Sequence, residues 1–191
     1  GTDFQSYATM PHDFVFDRVY VHGNPSEASM RGFILDANYA AVIDSYISDF
    51  KSPSGDTQAI LFTNAWGPFK IYNNYLEAAG ENILAGGSGS SVYGLQPSDM
   101  EIRGNLFAKP LSWRGSWIIK NLFELKHAQR VLIEGNVFQN HWAQNQAGFP
   151  IVFTIRTQEG RFPWFVVQDI TFRNNIVRNT ERGIVITGAD D

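Results

Sequence analysis

One pattern, returning at intervals of about thirty residues, restricts this chain more than anything else in it. An apolar residue is followed by two polar or small residues, an asparagine, one further residue and a second apolar residue. It occurs as Ile71, Asn74 and Leu76, as Ile102, Asn105 and Phe107, as Ile133, Asn136 and Phe138, and as Phe172, Asn175 and Val177. Two looser copies lie at Phe16 with Val21 and at Ile43 with Ile47. Self-similarity of this period means stacked supersecondary units, each too small to bury its own apolar face and stable only against its neighbours.

The unit is built from strands. Apolar and polar residues alternate around each anchor, and β-branched and aromatic types dominate. Each unit also carries a second short apolar run upstream of its anchor, such as Ile60-Leu61-Phe62 or Phe123-Glu124-Leu125. Two or three short strands joined by tight bends make one coil of a parallel β-helix. The expected inner wall stacks Phe16, Ile43, Ile71, Ile102, Ile133 and Phe172. The asparagines are read as structural, because Asn tolerates left-handed backbone and bonds local main chain. The fold predicted is all-β, a right-handed parallel β-helix of about six coils forming one domain over residues 1–191.

Several segments resemble a bacterial family of right-handed parallel β-helix repeat proteins of the pectin-lyase-like type. They are Asp44–Phe50, Asn74–Asn82, Pro97–Arg103, Lys109–Trp113 and Asn121–Lys126 with Val131–Asn136. The resemblance implies the fold and an extracellular or cell-surface location, but no particular activity, since the fold hosts several. No amphipathic helix at the start and no anchor after Gly183–Asp191 suggest a segment of a longer helix. Flanking domains of the same chain, or end-to-end self-association, are the expected partners of its open ends.

Composition narrows the classes further. With 43% apolar residues the chain can bury a sizeable core. Its 15 basic and 19 acidic residues, net −4, and the lack of any Lys/Arg-rich run argue against nucleic acid. No apolar run reaches membrane-spanning length, so membrane insertion is not expected. There is no cysteine, and the four histidines stand too far apart in sequence for a zinc site.

Chemistry points to the strand carrying Glu124 and Lys126. With Phe123 and Leu125 inward, Glu124 and Lys126 face out, and Phe153-Thr154-Ile155-Arg156 repeats that parity one coil later. Arg156 is therefore expected beside Lys126, over the small residues of Ile83–Gly87, between long loops bearing Trp66 and Trp164 on one side and Trp113 and Trp142 on the other. Such a face suits an acidic polysaccharide, with Glu124, His127 and the tryptophans as substrate contacts. The Lys-then-Arg placement resembles the β-helical polysaccharide lyases related to chondroitinase B and alginate lyases. That resemblance implies a β-elimination with Lys126 as base and Arg156 assisting the leaving oxygen. It also raises calcium, for which Glu77, Glu81 and Asn82 are the candidate ligands; no other cofactor is expected. The competing reading is a non-catalytic module, either glycan-binding or the structural stalk of a surface protein or fibre, in which the charges form only a surface ladder.

Overall fold

A computed structural model describes residues 6–90 and 92–188. Residues 1–5 of the lead-in, Ser91 of the Ser-rich bend and residues 189–191 of the final segment lie outside it. Six coils of three strands follow one another. The first holds β1 (His12–Asp17), β2 (Tyr20–His22) and β3 (Arg31–Ile34), the second β4 (Asn38–Ile43), β5 (Tyr46–Phe50) and β6 (Gln58–Phe62). The third holds β7 (Phe69–Tyr72), β8 (Tyr75–Ala78) and β9 (Glu81–Ala85), the fourth β10 (Ser98–Arg103), β11 (Leu106–Ala108) and β12 (Phe123–Leu125). The fifth holds β13 (Ala128–Glu134), β14 (Val137–His141) and β15 (Ile151–Thr154), the sixth β16 (Val167–Arg173), β17 (Ile176–Thr180) and β18 (Ile184–Thr187). Equivalent strands pair in parallel, giving three sheets of six strands around one interior. This is a parallel β-helix. Among the described residues no helix is long and apolar enough to cross a membrane.

Three columns of side chains fill the interior. The first sheet contributes Phe16, Val42, Ile71, Ile102, Ile133 and Phe172 in register. The second contributes Val21, Ile47, Leu76, Phe107, Phe138 and Val177. The third contributes Phe33, Ile60, Ile83, Phe123, Ile151 and Ile184. The middle coils are sealed, with Ile71, Leu76, Ile102, Phe107, Phe123, Ile133 and Phe138 all at 0% exposure. Burying each such side chain contributes about 1.5–3 kcal/mol relative to leaving it in water.

The expected inner wall is wrong at one position. Ile43 pairs with Asp17 and Tyr72 and is partly exposed, while Val42 occupies the interior. A slip of one residue turns a strand side chain to the opposite face. Every other coil spaces its two inner anchors by five residues, and Val42 to Ile47 obeys that spacing where Ile43 to Ile47 does not.

The bend after each first-sheet strand explains the asparagines. Arg18, Asp44, Asn73, Gly104, Gly135 and Asn174, one per coil, have φ between 51° and 67°. The next residue turns its side chain inward. Asn105 donates from Nδ2 to the Ile71 carbonyl at 2.9 Å and to Asn136 Oδ1 at 3.0 Å, and its own amide N–H also reaches Asn136 Oδ1. Asn74, Asn136 and Asn175 repeat this geometry, and Ser45 begins the ladder by accepting the Val19 N–H. A tight bend turns main-chain groups into the core, and the amide ladder satisfies them. On the outer surface, Glu134 bridges Arg103 and Arg173 at 2.9 Å each, an alternating charge ladder from coil to coil.

Candidate functional site

On the outer face of the third sheet one row holds a single charge within a run of apolar residues. Ile34, Leu61, Leu84, Glu124, Val152 and Val185 follow one another from coil to coil. Glu124 is thus held between Leu84 and Val152 and is 2% exposed. Its Oε1 lies 3.4 Å from Lys126 Nζ, whose side chain is 12% exposed. Burial pushes the Glu124 carboxyl up to about 7, helped by Glu81 and opposed by the nearby Lys126.

These two side chains open into a cavity of about 430 Å³. Asn121, Thr154 and Thr187 add polar groups to it, Val152 and Val185 its floor, and Gln146, Ala147 and Phe149 a wall. That wall belongs to the 140–150 loop, which rises beside the site. Thr187 donates its hydroxyl to Thr154 Oγ1 at 2.6 Å or accepts one from it. A second depression, of about 170 Å³, lies on the same face over Leu61, Leu84 and Gly86, with Arg31 and Asp56 at its margin. Gly86 is the small floor expected beside Lys126. With φ at +126° and a Cβ there only 2.5 Å from Lys126 Cβ, no larger residue fits without displacing the lysine.

Arg156 meets Lys126 through the main chain. In register Leu125 faces Phe153, the last pair between β12 and β15, and β15 ends at Thr154. Arg156 lies past the strand end, and its main-chain N–H donates to the Lys126 carbonyl at 3.0 Å. It is a backbone neighbour of Lys126, and Thr154 lines the cavity together with the lysine.

The remaining candidates are dispersed. His127 is fully buried, stacked on Phe165 with ring centroids 3.8 Å apart, and donates to the Thr63 carbonyl. Trp113 and Trp142 are buried in a satellite cluster with Ala79 and Ile119. Lys51 Nζ sits 5.4 Å from the Trp113 ring and Arg114 5.0 Å from that of Trp142. Trp66 is half-buried under Tyr7, and Trp164 packs on Tyr93, Phe162 and Phe165. In this structure the four tryptophans Trp66, Trp113, Trp142 and Trp164 cover the coils, as loops need an apolar base of their own, and none of the four is among the largely exposed hydrophobic residues.

The candidate calcium ligands do not converge. Glu77 accepts from the Asp49 N–H and the Tyr75 hydroxyl, and Glu81 from Gln58 and Lys120. Asn82 donates to the Leu76 and Ala108 carbonyls, and its Oδ1 faces an internal cation, Lys109. Among the described residues no cluster of three or more acidic or histidine side chains could hold a metal. Lys109 is the residue that sequence reasoning missed. Nothing in its surroundings in sequence marks it as the fully buried group it is.

Two buried histidines give the molecule an acid limit. Burial lowers both His127 and His141, which donates to the Lys120 carbonyl, to about 4. A folded-state pKa below the unfolded 6.5 means that the unfolded chain binds more protons between those values, so stability falls as pH drops from about 6.5 to 4. Each contributes about 3 kcal/mol to that loss. Glu124 has the opposite sign, costing about 3 kcal/mol as pH rises from its unfolded value near 4.5 to 7. His127→Phe, which keeps the ring stack, should flatten the acid side of a urea-midpoint profile by about the contribution of one histidine. Profiles of wild type and variant running parallel from pH 4 to 7 would show that His127 is not the group being titrated.

No protein-family model, no curated protein and no solved structure matches this chain significantly.

Proposed function

We propose that the protein cleaves an acidic polysaccharide by β-elimination at the outer face of its third sheet. The observation that carries this reading is the Glu124–Lys126 pair, set 3.4 Å apart in an open cavity. Proton abstraction beside a carboxylate needs two things, a proton acceptor poised near the working pH and a cation to hold the charge that develops. A carboxyl raised to about 7 supplies the first and the neighbouring lysine the second. Thr154, Thr187 and Gln146 add neutral hydrogen-bonding groups for sugar hydroxyls. The depression over Leu84 and Gly86 extends the same face by further coils, each step about 4.8 Å, as a polymer requires.

A second reading is favoured by the ends of the solenoid. Phe14 in the first coil and Ile184 and Ile186 in the last belong to inward-facing rows, yet are 41%, 43% and 78% exposed. Exposed apolar faces of this kind suit a structural or glycan-binding module that docks against another apolar surface.

The test is the appearance of unsaturated uronate, followed by absorbance, over a set of acidic polysaccharides. Wild type should release it, and Lys126→Ala should lose turnover while keeping the circular dichroism of the wild type. Retention on an acidic glycan without product would favour the binding module. Neither retention nor product would end the carbohydrate reading.

A further inference from the structure

We infer that Glu124, rather than Lys126 or Arg156, moves the proton at this site, and does so on one side of the sugar ring, so that the substrate is a 4-linked D-glucuronate or D-mannuronate. The inference rests on the elimination reading above and adds to it the roles and the stereochemistry.

The first observation is a free acceptor. Glu124 Oε1 faces Lys126, but Oε2 is buried with no hydrogen-bond partner among the described residues. Glu124 lines the cavity, and an oxygen left so lacks the partner that buried polar atoms almost always have, which a substrate C–H or hydroxyl group would supply. The second observation is the setting. Leu84 and Val152 flank the carboxyl on its row, and the charged groups facing it are Lys126 just past the end of its own strand, Glu81 on β9 and Lys120 in the loop before β12. Dry flanks make a carboxylate a stronger base, and the carboxylic acid it becomes is still acidic enough to give the proton back.

The steps close without a co-reactant. Glu124 takes H5, the C5–H bond breaks, and its electrons move into the uronate carboxylate group, whose added charge lies against Lys126. Those electrons then return to form the C4–C5 double bond as the C4–O4 bond breaks. The leaving oxygen takes the proton from Glu124, which ends as the carboxylate it began as. One group serving both atoms must meet H5 and O4 on the same ring face. They share a face in D-glucuronate and D-mannuronate and lie on opposite faces in D-galacturonate, L-guluronate and L-iduronate. Lys126 acts here as the cation that holds the uronate. Arg156, beyond the strand end, has no part in the proton transfer.

The experiment compares hyaluronan and polymannuronate with polygalacturonate and polyguluronate, measuring unsaturated uronate with wild type and Glu124→Gln. Product from either of the first two and from neither of the others is expected. The value of kcat/KM should rise with pH through about 7, as Glu124 becomes the carboxylate. Glu124→Gln should lower kcat by at least about 100-fold while still retaining the glycan, which a merely structural residue would not do. Product confined to polygalacturonate or polyguluronate, or equal rates on both classes, would overturn the single-face inference and leave elimination standing. Full turnover by Glu124→Gln would do the same. No product from any of the four would overturn the inference and the elimination reading together.

Discussion

Replacing Lys109 by methionine is expected to destabilise the fold by about 3–5 kcal/mol, more than any surface substitution, because it removes the donor that several buried oxygens share. Lys109 is fully buried. Its Nζ donates to the carbonyls of Ala78, Ala79 and Gly80 at 2.6, 2.9 and 2.8 Å and contacts Asn82 Oδ1 at 3.1 Å. These carbonyls form the bend between β8 and β9, where the chain turns from the second sheet to the third. Burial pushes the lysine down to about 7 while Glu81 and Glu77 oppose it. Methionine keeps the length and apolar stem but leaves those oxygens without a donor in a space closed to bulk water. Chemical denaturation at neutral pH measures the loss. A change below about 1 kcal/mol would mean that the bend satisfies its carbonyls by other means.

Ile133→Ala is expected to cost about 2–5 kcal/mol through the cavity it leaves. Ile133 lies in the fifth of six coils, at 0% exposure, between Ile102 and Phe172 in its column. Rigid sheet ladders on three sides limit how far neighbours can close the gap, which places the site toward the upper half of that range. Equilibrium unfolding in urea tests it. A loss under about 1 kcal/mol would remove Ile133 from the core and with it the column that defines the fold.

The column was legible because its signal is redundant. Period-two alternation, the asparagine three residues after each anchor and the second anchor five residues on all agree at Ile71, Ile102, Ile133 and Phe172. Where Ser45 replaces the asparagine the redundancy fails, and there the register was misread by one residue, as Ile43 instead of Val42. Glu124 was legible as an outward residue because it lies inside β12, where parity holds, and Lys126 because it follows directly on the last residue of that strand. Arg156 was placed by carrying the same parity past Thr154, where β15 stops. Strand ends depend on where the loops leave the coil, and no local pattern marks that. Burial of Lys109, His127, His141, Trp113 and Trp142 was illegible for a related reason. Each is covered by segments distant in sequence, and a loop's resting place is decided by tertiary packing, not by its own composition.

The measurement that tests the central claim most directly is an amide chemical-shift titration of the assigned protein with an acidic oligosaccharide built from uronate residues. The account predicts saturable shifts grouped on Glu124, Lys126, Val152, Thr154, Val185 and Thr187, continuing toward Leu84 and Gly86 on the same face. Shifts centred on Tyr39 and Lys70 over the first sheet, or no shifts at millimolar oligosaccharide, would contradict it.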